Sequence, residues 1–226
     1  MDAKARRTLD MTARAIVFSR ANPDDSDPGY TAVMERFEAL QARAEAMAKV
    51  QREGLTRVRL ATAARRKLRR AIIESHVAHL AGVAELAARE TPDARKWFVV
   101  GRGRHTYQGF VTAIRTMLER AEAQRELLVR YGLSPKVLDD FRARLAEFDA
   151  ATLESIEGRR AHTGASAELE RVTAEAFDVV KALDGINRIR FANDAERLGQ
   201  WESASSVQAT PQRVSEEEKA KEEKAA

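Results

Sequence analysis

Eleven glycines and five prolines are all that punctuate this chain of 226 residues. In a helix interior these residues cost about 1 and about 3 kcal/mol relative to alanine, so where they are scarce helices run on. What fills the space agrees: 41 residues are alanine and 30 are arginine, about 18% and 13% of the chain. Val, Ile and the aromatic residues, which favour strands, are sparse and dispersed. The expected fold is all-α: an up-down antiparallel helical bundle with long, partly heptad-patterned helices. Alanine buries little area, so its core should be thin and layered.

Composition removes several function classes. There is no cysteine, which excludes disulfides, thiolate metal sites and a cysteine nucleophile. The first 23 residues lack a signal-type apolar core; their longest apolar run is Ala15-Ile16-Val17-Phe18. No stretch approaches the ~18 apolar residues of a membrane span. A soluble, cytoplasmic protein without membrane insertion is expected. The net charge of +4 is small for this length, so composition alone says little about nucleic acid.

Periodicity places the elements. Residues 3–21 read as a first helix, and Asn22 to Gly29, with two prolines and four Asx residues, as a loop. Tyr30, Val33, Phe37, Leu40, Ala44 and Met47 recur in steps of three and four. The register continues through Gly54 to Val58, Ala61, Leu68 and Ile72. Beyond Ile72 the stripe shifts to Ile73, His76, Leu80, Val83 and Ala87, as at a stutter. A continuous helix bent at Gly54 is expected. Thr91-Pro92-Asp93 reads as an N-cap and a short turn ending at Trp97. Tyr107 to Tyr131 reads as one helix stopped by Gly132.

Ser134-Pro135 starts another helix, with Leu138, Phe141, Leu145, Phe148 and Ile156 inward. A break is expected near 158–164, followed by a stripe of Leu169, Val172, Ala176, Val179, Leu183 and Ile186. Asn193-Asp194 caps a last short helix bearing Leu198 and Trp201. The resulting division is a helical hairpin over 1–53, a four-helix bundle plus a short C-terminal helix over 54–202, and a disordered tail over 203–226.

The strongest local signal is basic. Residues 51–70 hold eight bases against one acid, Glu53. Such a run can contact phosphates, with Arg59, Arg66, Lys67 and Arg70 the candidate nucleic-acid contacts. At about 100° per residue, however, the bases spread right around the helix, and Arg65 and Arg69 fall on or beside its apolar arc. No aromatic residue interleaves them to stack on bases. Arginine stems lying on apolar neighbours, with heads paired to acids of adjacent helices, account for the run without a ligand.

Other constellations are thinner. His76 and His79 project onto one arc and, with Glu74, His105 or His162, are candidates for a metal. Yet no Glu-x-x-His of a carboxylate-bridged bundle site is present. Two imidazoles hydrogen-bonded in the core fit better, so no metal or cofactor is expected. Gly101-Arg102-Gly103-Arg104-His105 is a cationic loop before a helix but lacks the spacing of a phosphate cradle. Trp97 and Trp201, at the two least regular junctions, are candidate interface residues; such residues more often close the end of a bundle. No G-x-S-x-G elbow or zinc-protease motif occurs.

Three stretches together resemble uncharacterised all-helical proteins of high-GC bacteria. They are Phe18 to Pro23 with Asp27-Pro28-Gly29-Tyr30, Arg125 to Ser134, and Leu183 to Asn187 through Trp201 to Ala204. That group has no assigned function, so the resemblance implies a helical fold and no site residues. The expected function is a non-enzymatic helical interaction or scaffold protein with a protein partner or self-association. The alternative is nonspecific nucleic-acid binding through 51–70.

Overall fold

The computed structural model describes residues 3–24, 26–99 and 106–207, apart from the side chain of Lys4. The loop Gly101–His105 and the tail from 208 onward lie outside the described residues. The protein is all-α, with no strand among the described residues. The helices are α1 (Ala3–Ala21), α2 (Pro28–Ala71), α3 (Ala78–Ala87), α4 (Tyr107–Ala123), α5 (Arg125–Arg130), α6 (Pro135–Arg190) and α7 (Ala195–Ser205). A π-helical turn over Ile72–Val77 joins α2 to α3, and a 3₁₀ turn over Pro92–Lys96 follows α3. No helix among the described residues is long and apolar enough to cross a membrane.

Several ends follow from local chemistry. Asp27 caps α2, its carboxylate accepting from the Gly29 amide at 2.8 Å, with Pro28 at the first helical position. Thr106 and Asp194 cap α4 and α7 in the same way, accepting from the Gly109 and Arg197 amides. Gly132 ends α5 in the left-handed region, φ 102°. There the Leu133 amide donates to the Leu128 carbonyl at 2.9 Å and the Gly132 amide to Val129 at 3.1 Å. Leu133 and Leu128 are both buried, completing a Schellman stop.

The chain divides into two compact units, one contiguous over residues 53–162 and one joined from 1–52 and 163–226. This differs from the division read from sequence, which kept 54–202 together. The reason is α6, which does not break at 158–164 but runs unbroken to Arg190. Its second half shares a core with the N-terminal helices: Leu169, Val172, Val179 and Leu183 pack with Met11, Phe18, Phe37 and Trp201. In the contiguous unit Ile72, Leu80, Phe110, Ile114, Leu128, Leu138, Phe141 and Phe148 form the core. Ile156, expected inward, is instead 44% exposed.

Gly54 and Gly158 explain both the continuity of α2 and that of α6. A Cβ built on Gly54 would lie 2.7 Å from the Gly158 carbonyl oxygen and 2.8 Å from the His162 amide nitrogen. One built on Gly158 would lie 2.9 Å from the Gly54 carbonyl. The two helices therefore approach backbone to backbone here, and glycine marks a crossing where sequence alone suggested a bend or a break. The shift at Ile72 is also physical. The Ala78 amide bonds to the Ile73 carbonyl, five residues back. The wider turn keeps Ile72, His76 and Leu80 buried along one line.

Candidate anion-binding site on the basic helix

The basic run of α2 sorts into three kinds of side chain. Arg57 reaches across to α6, 3.2 Å from Glu154 and 3.9 Å from Glu157. Both ends of this bridge are about half-exposed, so it contributes little, of order 0–1 kcal/mol. Arg59, Arg66 and Lys67 are exposed and pair with no acid among the described residues. Arg70 is exposed too, with only Glu74 nearby at 4.0 Å. The four candidate contacts to nucleic acid are thus all at the surface.

Arg65 and Arg69 behave differently. Both are half-buried. Together with Arg66 and Thr62 they border a concavity of about 210 Å³ completed by Tyr107, Phe110 and Phe148. The guanidinium of Arg69 lies 4.8 Å from the Phe110 ring centre, and that of Arg65 lies 6.0 Å from Tyr107. Arg65 also donates to the hydroxyls of Thr62 at 3.3 Å and Ser155 at 3.4 Å. The rings support one another: Tyr107 and Phe148 stack at 5.6 Å and 10°, and Phe110 meets Phe148 at 5.3 Å. The aromatics missing from the basic run are thus supplied by α4 and α6. Spacing within one helix gives no signal of them.

The histidines separate. His76 is buried in the π-helical turn, its Nε2 2.8 Å from Asp140 Oδ2 and its ring stacked 5.2 Å from Phe141. Its Nδ1 is buried and unpartnered among the described residues. His79, read from sequence onto the same arc, is exposed instead, because the buried face here runs through His76, Val77, Leu80, Val83 and Ala84, to one side of it. No cluster of three metal-ligating side chains occurs among the described residues; His105 lies outside them.

The tryptophans also part. Trp97 is half-buried against the core of the contiguous unit, edge-on to Phe98 at 6.4 Å. Trp201 is fully buried and offers a partner no surface. It packs 5.5 Å from Phe18, and its indole nitrogen donates to Asp184 Oδ1 at 2.9 Å. As an interface residue it is therefore corrected to a core residue of the two-ended unit. Burial pushes the Asp184 carboxyl upward. Hydrogen bonds from Arg188 and Trp201, with the charge of Arg188, outweigh that and hold it below its ordinary value.

No protein-family model matches the chain, and neither a curated protein nor a solved structure matches it.

Proposed function

We propose that this is a non-enzymatic helical interaction protein, one whose contacts include a second copy of itself. The observation that supports this reading is a set of large aliphatic side chains left in water on the helices. Leu60 is 67% exposed, Leu153 62% and Ile156 44%. Leu60 follows Arg57 by one turn on α2. Leu153 stands one turn before both Ile156 and Glu157 on α6, so it shares a face with the acidic partner of Arg57. Large apolar side chains exposed on two helices that a charge pair bridges are the kind of surface a protein contact uses.

The test is sedimentation velocity across a wide concentration range. The wild-type chain should associate as concentration rises or crosslink to a defined neighbour in its host. Leu60→Glu with Leu153→Glu should abolish that behaviour. A wild-type chain that stays monomeric and gives the same crosslinks as the double variant defeats the reading.

The second reading, nonspecific nucleic-acid binding, draws on Arg59, Arg66 and Lys67, three exposed cations with no acid beside them among the described residues. It requires binding that falls steeply between ~50 and ~200 mM salt. Arg59→Glu with Lys67→Glu should weaken it. Unchanged mobility of DNA and RNA at the lower salt sinks it.

A further inference from the structure

The concavity beside α2 poses a charge problem. A half-buried guanidinium loses hydration, and the usual compensation is a carboxylate within hydrogen-bond reach. Arg65 has only two hydroxyls, at 3.3 and 3.4 Å. Arg69 has the face of Phe110. Neither pairs with an acid among the described residues, and none of the residues lining the concavity is acidic. Asp149, within 3.3 Å of the Tyr107 hydroxyl, is already engaged by Arg115 at 2.7 Å. Three arginines thus border a hollow whose lining holds no negative charge of its own.

The hollow also selects by shape. Its lining is largely apolar and includes the rings of Tyr107, Phe110 and Phe148. An apolar cavity of about 150 Å³ admits a benzene ring. The concavity here is of that order, about 210 Å³, and is open to solvent, so a ring seated in it can carry a charged group at the rim. Arginine forks match phosphate and carboxylate oxygens two at a time. With three of them and no acid, a dianion balances the site better than a monoanion.

We propose that this concavity binds a single aromatic ring bearing a phosphate, the ring against Tyr107, Phe110 and Phe148 and the phosphate held by Arg65, Arg66 and Arg69. The same chemical group occurs in a free aryl phosphate and in a phosphotyrosine side chain. Its recognition needs no association of the protein with itself.

Calorimetric titration of the full chain at ~50 mM salt, where surface charges are only partly screened, tests this directly. Phenyl phosphate should bind saturably at one site, more tightly than inorganic phosphate or benzyl alcohol, each of which offers half the ligand. Arg69→Gln should weaken it by about tenfold or more, the scale of one charged hydrogen bond. Arg66→Gln, at an exposed rim position, should weaken it in the same direction.

Arg59→Gln, on the same helix but outside the concavity, should change it less than twofold. A short phosphotyrosine peptide that binds tighter than phenyl phosphate places the group on a partner chain. One that binds more weakly places it on a free molecule. The proposal is overturned if no saturable binding occurs or if inorganic phosphate binds as tightly as phenyl phosphate. It is equally overturned if Arg59→Gln costs as much as Arg66→Gln.

Discussion

The contiguous unit, residues 53–162, is one stretch of chain folded on itself, whereas the core of the other joins helices from before residue 53 with the chain after 162 as far as α7. Their cores differ accordingly. The contiguous one is made from short segments, α3 to α5 and two irregular turns, set against parts of α2 and α6. The two-ended one is made from longer helices and is rich in polar fastening. There Arg190 lies 3.0 Å from Asp24, donates to the carbonyls of Asn22 and Pro23 at 3.2 and 3.1 Å, and covers the Tyr30 ring at 4.4 Å. Trp201 adds its bond to Asp184. A core whose pieces are far apart in sequence pays more chain entropy to assemble. Directional bonds at its seams help fix which pieces meet.

The sharpest way to break this comparison is Trp201→Ala. Truncating a fully buried tryptophan costs about 3–5 kcal/mol. If the two units open as separate cooperative blocks, the loss belongs to one of them. Hydrogen exchange should accelerate in α1 and the second half of α6 while α4 keeps its protection. Equal loss of protection in α4 would show that the division into units has no energetic meaning.

A smaller effect separates glycines that look alike in sequence. Gly54→Ala and Gly158→Ala each push a methyl against a backbone carbonyl under 3.0 Å away. Overpacking of this kind costs about 1–3 kcal/mol. Because both residues occupy one crossing, the double variant should not be additive. Gly164, six residues further along α6, has nothing within 4 Å of an added Cβ. Gly164→Ala should stabilise the protein by about 0.5–1 kcal/mol. Denaturant midpoints of the four variants decide it; destabilisation by Gly164→Ala of the same size would remove the crossing as the explanation.

Those glycines show where sequence reasoning runs out. Gly132 and Asp194 were legible as a stop and a cap because the groups they satisfy lie within a few residues. The line of Tyr30, Phe37, Leu40 and Ala44 was legible because burial on one helix face repeats locally. Gly158 was not, since its cause is Gly54 on another helix; a glycine in a weakly patterned stretch reads as a break when its opposite number is unknown. The concavity was half legible. Arg65 and Arg69 fell on the apolar arc, but Tyr107, Phe110 and Phe148 come from elsewhere in the chain. His79 was misplaced because the buried face after the π turn centres on Val77, Leu80 and Ala84 and leaves His79 at its edge, in water.

The mildest test concerns the seam that Trp201 shares with α6. Asp184→Asn keeps an oxygen to accept the indole N–H but removes the charge facing Arg188, 2.9 Å away. Asp184 is about a third exposed, so at neutral pH the loss should be at most about 1 kcal/mol. The pH dependence carries the information. Because the folded-state pKa is depressed, the carboxylate's contribution is complete above its unfolded value of about 3.9. It is lost as pH falls through the lower folded value. The wild-type chain should therefore shed this contribution in acid while the Asn variant, having none to shed, closes the gap between the two. Unfolding curves taken from pH 7 into acid should draw together as pH falls below the ordinary carboxylate range. Parallel curves would mean that the Asp184–Arg188 charge pair adds nothing, and that the seam is held by the indole hydrogen bond and packing alone.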